Sequence, residues 1–517
     1  MTATLDRPAV TVGRHARVEA ARTRPRRGRG LVVAVHLVSA AVVVAWSQLA
    51  FLGRSLRLDE AQSLWQTNHT YGRLLELIAQ DVHVPLYHVV LRTWRLVLGD
   101  DIGTARVLSL VFLLASLPLF YLVARSVLTQ RWALFALVVF STSPFVLWYG
   151  NEARMYTMLL LVTLASQVAF LAVVRRGRTA AWVGWAATAV VGAYVHYFFF
   201  FVLLAQGLFL LAVSRRLPGR TVLKLTGVVV LVVAAFLPWF LYFRANGSAS
   251  GTRPQLPTPS SVDFSNVYSQ FLFGFQSDPV NTTLVSAWPL LVLGALLSVR
   301  VGSRLDRNGA YLLVAAFVPV LTAFVVSHLV TPFFLSRYMV PAAPALLVLV
   351  VAFLAGLGPR VSKVLAGALL AVTVAGTTVQ ATSSDNPVEE DYRAAAELAE
   401  QAGPRDLVVV SSPFTIYPFE YYYDGAARVS TLPVWNRQQS APTYDAPELP
   451  AEAQSLTDGH QYVYLVLSYD QGYQDDVYQY FASRYEQTAA YAPSDGLQVL
   501  VFRVGYAEVV PLGSPPA

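Results

Sequence analysis

Cysteine is absent from the 517 residues. That absence excludes disulfides, thiolate metal sites and cysteine nucleophiles, and it leaves any chemistry to carboxylates, histidines, arginines and hydroxyls. Charge is scarce as well. Asp, Glu, Lys and Arg together make up 13% of the chain against 55% hydrophobic residues, and the mean hydropathy is +0.49, far from the balance of a soluble globular protein. Lysine is nearly missing, with Lys224 and Lys363 its two occurrences, and this preference for arginine fits a GC-rich bacterial genome. The net charge of +7 is spread as arginines between apolar runs, not gathered into a basic domain, so nucleic acid is not an expected partner. Neither a glycine-rich phosphate loop nor an internal repeat is seen.

What the chain has is long apolar runs, and it reads as a polytopic α-helical membrane protein. A spanning helix needs about 20 mostly apolar residues. About eleven runs qualify, near 31–51, 104–124, 132–149, 155–174, 180–195, 197–213, 224–243, 284–299, 309–329, 338–357 and 362–381. The basic tail 1–30 precedes a run longer than a secretory signal needs, without a clear cleavage site, so the first run is read as an uncleaved anchor. Between Arg178 and Arg215 one helix would be roughly 55 Å long, nearly twice a bilayer core of about 30 Å. The segment is therefore expected to fold back on itself near His196. Arginine-rich loops fall on one side when the N-terminus is inside. The opposite, extracytoplasmic side then receives the first external loop 52–103, the loop 244–283 and everything after 384. From 385 to 517 the composition changes, and "DLVVVSS", "QYVYLVLSY" and "LQVLVFRV" alternating with helix-like stretches predict a small extracytoplasmic α/β domain.

The first external loop is rich for a connector, reading as short interfacial helices over "DEAQSLWQ", "YGRLLELIAQ" and "PLYHVVLRTWRLVLG". Asp59, with Gln62 three residues on, suits a helix N-cap and equally a catalytic carboxylate. Glu60 alone reads as a solvated first-turn acid. Asp81 and His83 lie on the same side, joined by His196 at the expected turn; a divalent ion is one reading of the three, although their spacing is not diagnostic. "YGNEARMY" puts Arg154 and Tyr156, and "FFLSRYMVP" puts Arg337 and Tyr338, at outer helix ends. Arginines there run against the inside excess, so Arg154 and Arg337 are either snorkelling or a guanidinium pair for a phosphate.

Taken together, "LDEAQS", "DVHVPLYHVVLRTWRLVLGD", "ARVLSLVF", "NEARMYTMLLL", "YVHYFFFFVLLAQ" and "SRYMVPAAPALLVL" resemble, in order and spacing, the membrane glycosyltransferases of the GT-C fold. The resemblance is to the family containing protein O-mannosyltransferases and the lipid A aminoarabinose transferase, and it covers most of 31–381. It implies a multi-pass enzyme of the bacterial plasma membrane, a polyprenyl-phosphate sugar donor, an acceptor hydroxyl and inversion at the anomeric carbon. Asp59 would then be the general base, with Glu60 orienting it or raising its pKa. Arg154, Arg337 and Tyr338 would hold the donor phosphate, and Asp81, His83, Tyr156 and His196 would contact substrate. Because the leaving phosphate is already a stable anion, no metal or other cofactor is required, a divalent ion remaining the alternative. Mannose or arabinose is the expected sugar, and a glycolipid, a polysaccharide or a protein the acceptor. The competing class is a transporter or flippase of lipid-linked sugars, against which stands the clustering of charge on one face.

Overall fold

The structure is a computed structural model describing residues 25–81, 83–213, 219–247, 256–275, 307–382, 390–437 and 442–505. Seven of its helices are long and apolar enough to cross a membrane. Gln130–Ser141 and Pro144–Gly150 are apolar enough together but bent by 56°, and they make an eighth span if the pair counts as one. The bend has a local cause: Ser143 caps the second piece by accepting from the Val146 N–H, and Pro144 at its first turn lacks the N–H that would continue the first. Thr179–Val195 and Phe199–Val213 are shorter apolar helices. The chain is thus a multi-pass membrane protein. Two of the eleven expected spans are shorter than a spanning helix, one is a bent pair, and the expected span at 284–299 lies outside the described residues.

The turn near His196 is tight. His196 leaves the first short helix in extended geometry, its Nδ1 accepts from the Phe198 N–H at 3.1 Å, and the chain re-enters helix at Phe199. A Cβ on Gly192 would lie 2.4 Å from the Phe199 ring, so glycine permits the close return.

The loop before the second long span folds into three helices: α1 (Leu58–Thr67), α2 (Tyr71–Gln80) and α3 (Leu86–Leu98). Each was legible, but the caps differ. Arg57, not Asp59, is the N-cap of α1, and Pro85 caps α3 from outside it. A further helix, Ser261–Phe273, lies in the 244–283 connector, opened by a capping box in which Ser260 and Asp263 exchange hydrogen bonds.

Residues 407–503 contribute a five-stranded sheet in the order β2-β1-β3-β5-β4: β1 (Leu407–Ser411), β2 (Arg428–Thr431), β3 (Tyr462–Ser468), β4 (Glu486–Ser494) and β5 (Leu497–Arg503). β2, β1 and β3 run parallel and β5 and β4 antiparallel. Buried apolar residues cover both faces, as a parallel core requires. The helix Ile416–Tyr422, α4 here, joins this unit to the first loop by packing on α1. The Tyr422 hydroxyl accepts from the Leu56 N–H at 2.9 Å, the Tyr421 hydroxyl from the Ile102 N–H at 3.1 Å, and Tyr417 meets the Trp65 ring at 5.0 Å.

Candidate active site

α1 carries the adjacent carboxylates, and it turns them to different partners. Glu60 is 1% exposed, contrary to the solvated acid expected. Its two oxygens meet Arg106 through Nε at 2.9 Å and Nη2 at 2.6 Å, and they also accept from the backbone N–H of Ala153 at 2.8 Å and of Arg57 at 3.2 Å. Burial would raise its pKa, but Arg106 and these hydrogen bonds outweigh it and keep Glu60 ionised. The Arg106 guanidinium also donates to the carbonyls of Leu52, Arg54 and Ser55. Glu60 and Arg106 therefore tie the start of α1 to the next spanning helix and to the 150–155 turn. With both oxygens engaged, Glu60 is a structural anchor in this arrangement.

Asp59 faces the other way. Its Oδ2 meets Nη1 of Arg337 at 2.5 Å, with both side chains about one-quarter exposed, at 26% and 28%. Burial alone would raise Asp59, yet Arg337, Arg154 and Arg57 overcome it and hold the carboxyl well below the usual range. Arg154 is locked beneath: Nη1 donates to the Asp59 carbonyl at 3.0 Å and to Ser63 Oγ at 2.9 Å, and Nη2 lies 2.9 Å from His83 Nε2. Because Arg154 must donate there, His83 carries its proton on Nδ1, which reaches the Asp81 carbonyl at 2.6 Å. Asp81 Oδ2 in turn accepts from Gln66 at 2.8 Å. Burial lowers the His83 pKa, and Arg154 adds to this against Asp81.

His196, Tyr156 and Tyr338 form an aromatic wall beside this cluster. The His196 ring lies 5.3 Å from Tyr338 and 6.4 Å from Tyr156, and the Arg337 guanidinium lies 5.5 Å from the Tyr338 ring centre. Burial pushes His196 down to about 3, so it is neutral at physiological pH. Among the described residues no three His, Asp or Glu side chains form a group able to hold a metal ion. Asp81 accepts from Gln66 and His83 meets Arg154, while His196 belongs to the aromatic wall.

Glu152, which the sequence places with Arg154 at an outer helix end, was given no role there. Glu152 is 4% exposed, its Oε1 is 4.0 Å from Arg57, and its Oε2 is buried without a partner. Burial, with Asp59 and Glu60 adding to it against Arg57, raises Glu152 to about 7. The signal was present, since Glu152 stands two residues before Arg154 in "NEAR", but nothing local announces burial. Arg106, likewise given no role, sits inside an apolar run, which is a functional flag in itself.

The Dolichyl-phosphate-mannose-protein mannosyltransferase family matches residues 82–242. No curated protein sequence matches the chain. Among solved structures, ArnT from Cupriavidus metallidurans superposes with a TM-score of 0.58 at 15% identity, over 92% of this chain and 98% of that one. ArnT bound to undecaprenyl phosphate gives 0.55 at 16%, over 94% and 99%. The Archaeoglobus fulgidus oligosaccharyltransferase, in complex with zinc and sulfate, gives 0.53 at 13%, over 89% and 72%. At these identities the likeness shows a shared fold. The family match takes in His83, Arg154 and His196 but neither Asp59 nor Arg337, and over the rest of the chain the likeness to ArnT and to the oligosaccharyltransferase is one of fold.

Proposed function

We propose that this glycosyltransferase moves a sugar from a polyprenyl-phosphate donor to an acceptor hydroxyl, with inversion, using Asp59 as general base. The observation that carries the reading is the Asp59–Arg337 pair standing on Arg154: one carboxylate and two guanidiniums brought together from three separate segments. In the proposed reaction the acceptor oxygen attacks the anomeric carbon from the face opposite the phosphate. Its proton passes to Asp59, and the carbon–oxygen bond to phosphate breaks with the electron pair leaving on the polyprenyl phosphate. Paired with Arg337, Asp59 is a weak base. A donor phosphate competes for Arg337, and as that guanidinium turns to the phosphate the basicity of Asp59 rises. Donor binding would thus prime the base. Arg154 and Arg337 stabilise the departing charge, so the step needs no metal. ArnT bound to undecaprenyl phosphate supports a lipid-phosphate donor, and the family match favours mannose over arabinose.

Purified protein is expected to consume polyprenyl-phosphate [¹⁴C]mannose in detergent, where transport has no meaning, and to do so in the presence of a chelator. In the same assay Arg337→Ala should raise the donor KM roughly tenfold or more, the scale of a lost charge-assisted hydrogen bond. The acceptor KM should move far less, because only the donor carries phosphate. Equal effects on both would remove Arg337 from the donor site.

We further propose that the site and the sheet unit are extracytoplasmic on a bacterial plasma membrane, the arginine-rich loops being inside. Alkaline phosphatase fused behind residue 505 should be active in cells. An inactive fusion, with an active cytoplasmic reporter at the same point, reverses the orientation.

A further inference from the structure

One face of the sheet unit is only partly covered. Helix α5 (Gln474–Arg484) lays Val477 and Phe481 into a cluster with Leu467 of β3 and Leu500 of β5. Residues paired across neighbouring strands share a face. Leu467 pairs with Gln498, and Leu500 with Ala490, so the face that α5 covers continues outward to the edge strand β4. There the cover stops. What remains is a trough of about 570 Å³ between α5 and the two outer strands, within the size range of small-ligand sites.

Its walls are amides and phenols. Gln474, Asp475 and Tyr478 come from α5, Gln487 and Tyr491 from β4, and Gln498 from β5. Tyr491 is 38% exposed, and Asp475, Gln487 and Gln498 are exposed too. Gln474 is held at the start of α5, where its backbone N–H donates to Asp470 at 3.3 Å. Its side-chain Nε2 is buried and has no hydrogen-bond partner among the described residues. A buried donor left unpaired is rare in native proteins, and an acceptor arriving in the trough would satisfy it.

Each property of the walls removes a class of ligand. Among the described residues no Lys, Arg or His lines the trough, so a phosphate or a carboxylate would find no counter-charge. A single carboxylate is too little for a divalent ion, which takes several oxygen ligands. The leucines of the lining, Leu467 and Leu500, are buried in the cluster with α5, so an acyl chain or an apolar peptide anchor has no pocket. Addition of a peptide strand at the edge is also opposed. β4 shifts register between Gln487 and Ala489 and again between Tyr491 and Ser494, and it carries Pro493.

We propose that this trough binds a neutral glycan chain. Glutamine amides donate and accept at once, as neighbouring sugar hydroxyls do, and Asp475 accepts from hydroxyls. The tyrosines offer an apolar ring to the C–H faces of the sugars and a hydroxyl at its tip. The trough shares no residue with the Asp59 cluster, so its occupancy does not depend on transfer.

The test is equilibrium binding to the full-length protein in lipid nanodiscs, without donor. The probes are labelled neutral oligosaccharides of mannose, arabinose, galactose and glucose, an acidic oligosaccharide of galacturonic acid, and an uncharged serine/threonine peptide. The parent should bind at least one neutral oligosaccharide and neither of the other two probes. Gln474→Leu should weaken that binding roughly fivefold, the scale of one lost hydrogen bond. Tyr491→Ala should weaken it at least as much, with Tyr491→Phe keeping most of the affinity. Because Tyr491 is an exposed side chain on an edge strand, its variants should melt with the parent, and Asp59→Asn should bind glycan as the parent does. No neutral oligosaccharide bound, tighter binding of the acidic probe or the peptide, or parent-like binding by both Gln474→Leu and Tyr491→Ala overturns the trough. Loss of glycan from Asp59→Asn overturns it too, by placing the glycan in that cluster. Failure of sugar transfer would sink the reading of Asp59 and leave this binding standing.

Discussion

Asp59→Asn is expected to lower the transfer rate by about 10² to 10⁴ at saturating donor and acceptor, the range lost with a general base, while the melting temperature stays near that of the parent. Asp59 is the second residue of α1 and makes no cap hydrogen bond, since Arg57 occupies the cap. Asparagine keeps the shape and can still accept from Arg337. What it cannot do is take a proton. The structural cost is small because the Asp59–Arg337 pair is partly exposed, and such pairs contribute about 0 to 1 kcal/mol. Donor affinity should hold or improve, as Arg337 no longer has a charged rival for its guanidinium. Near-normal turnover would move the role of base to Glu152, whose free oxygen and raised pKa make it the next carboxylate able to accept a proton. It would not move to Glu60, whose oxygens are all engaged.

The largest stability effect should come from Arg106→Ala. Glu60 and Arg106 are both buried and paired two-fold, and removing one partner of a buried pair costs about 3–5 kcal/mol because the other charge is left uncompensated. Arg106 also leaves three backbone carbonyls without their donor. A double replacement, Glu60→Gln with Arg106→Gln, should consequently recover only part of the loss. Melting temperatures of the purified variants decide the matter: an Arg106→Ala protein as heat-stable as the parent would show that the pair holds nothing together.

The apolar runs were legible because hydropathy and length are local properties of the chain. The fold-back at His196 followed from arithmetic on one stretch, and α1, α2 and α3 from their periodicity and punctuation. Partners are not local. Glu60 looked solvated because Arg106 lies 46 residues away, and no pattern joins the two. The bend before Pro144 and the capping box at Ser260 did have local signals, in "STSP" and "SSVD", which were read through as span and connector. In the sheet, β1, β3 and β5 were visible as apolar runs. β4 is mostly exposed and β2 is only four residues long, so neither stood out. Asp59, Arg154 and Arg337 were expected around one cavity, because all three lie at the outer ends of different helices. The direct Asp59–Arg337 contact, and the locking of Arg154 by Ser63 and His83, required three dimensions.

The hydrogen bond between Leu56 and Tyr422 joins residues 366 positions apart. At typical rates of synthesis, about 5–20 residues per second, roughly 20 to 70 s separate their emergence from the ribosome. During that interval the loop bearing Asp59 has been made but lacks the tyrosines that pin its two ends. An enzyme that assembled its catalytic loop early could hydrolyse or misdirect a reactive lipid donor while still being inserted. Here tyrosines made more than three hundred positions later pin both ends of the loop, so its final arrangement waits for synthesis of the sheet unit.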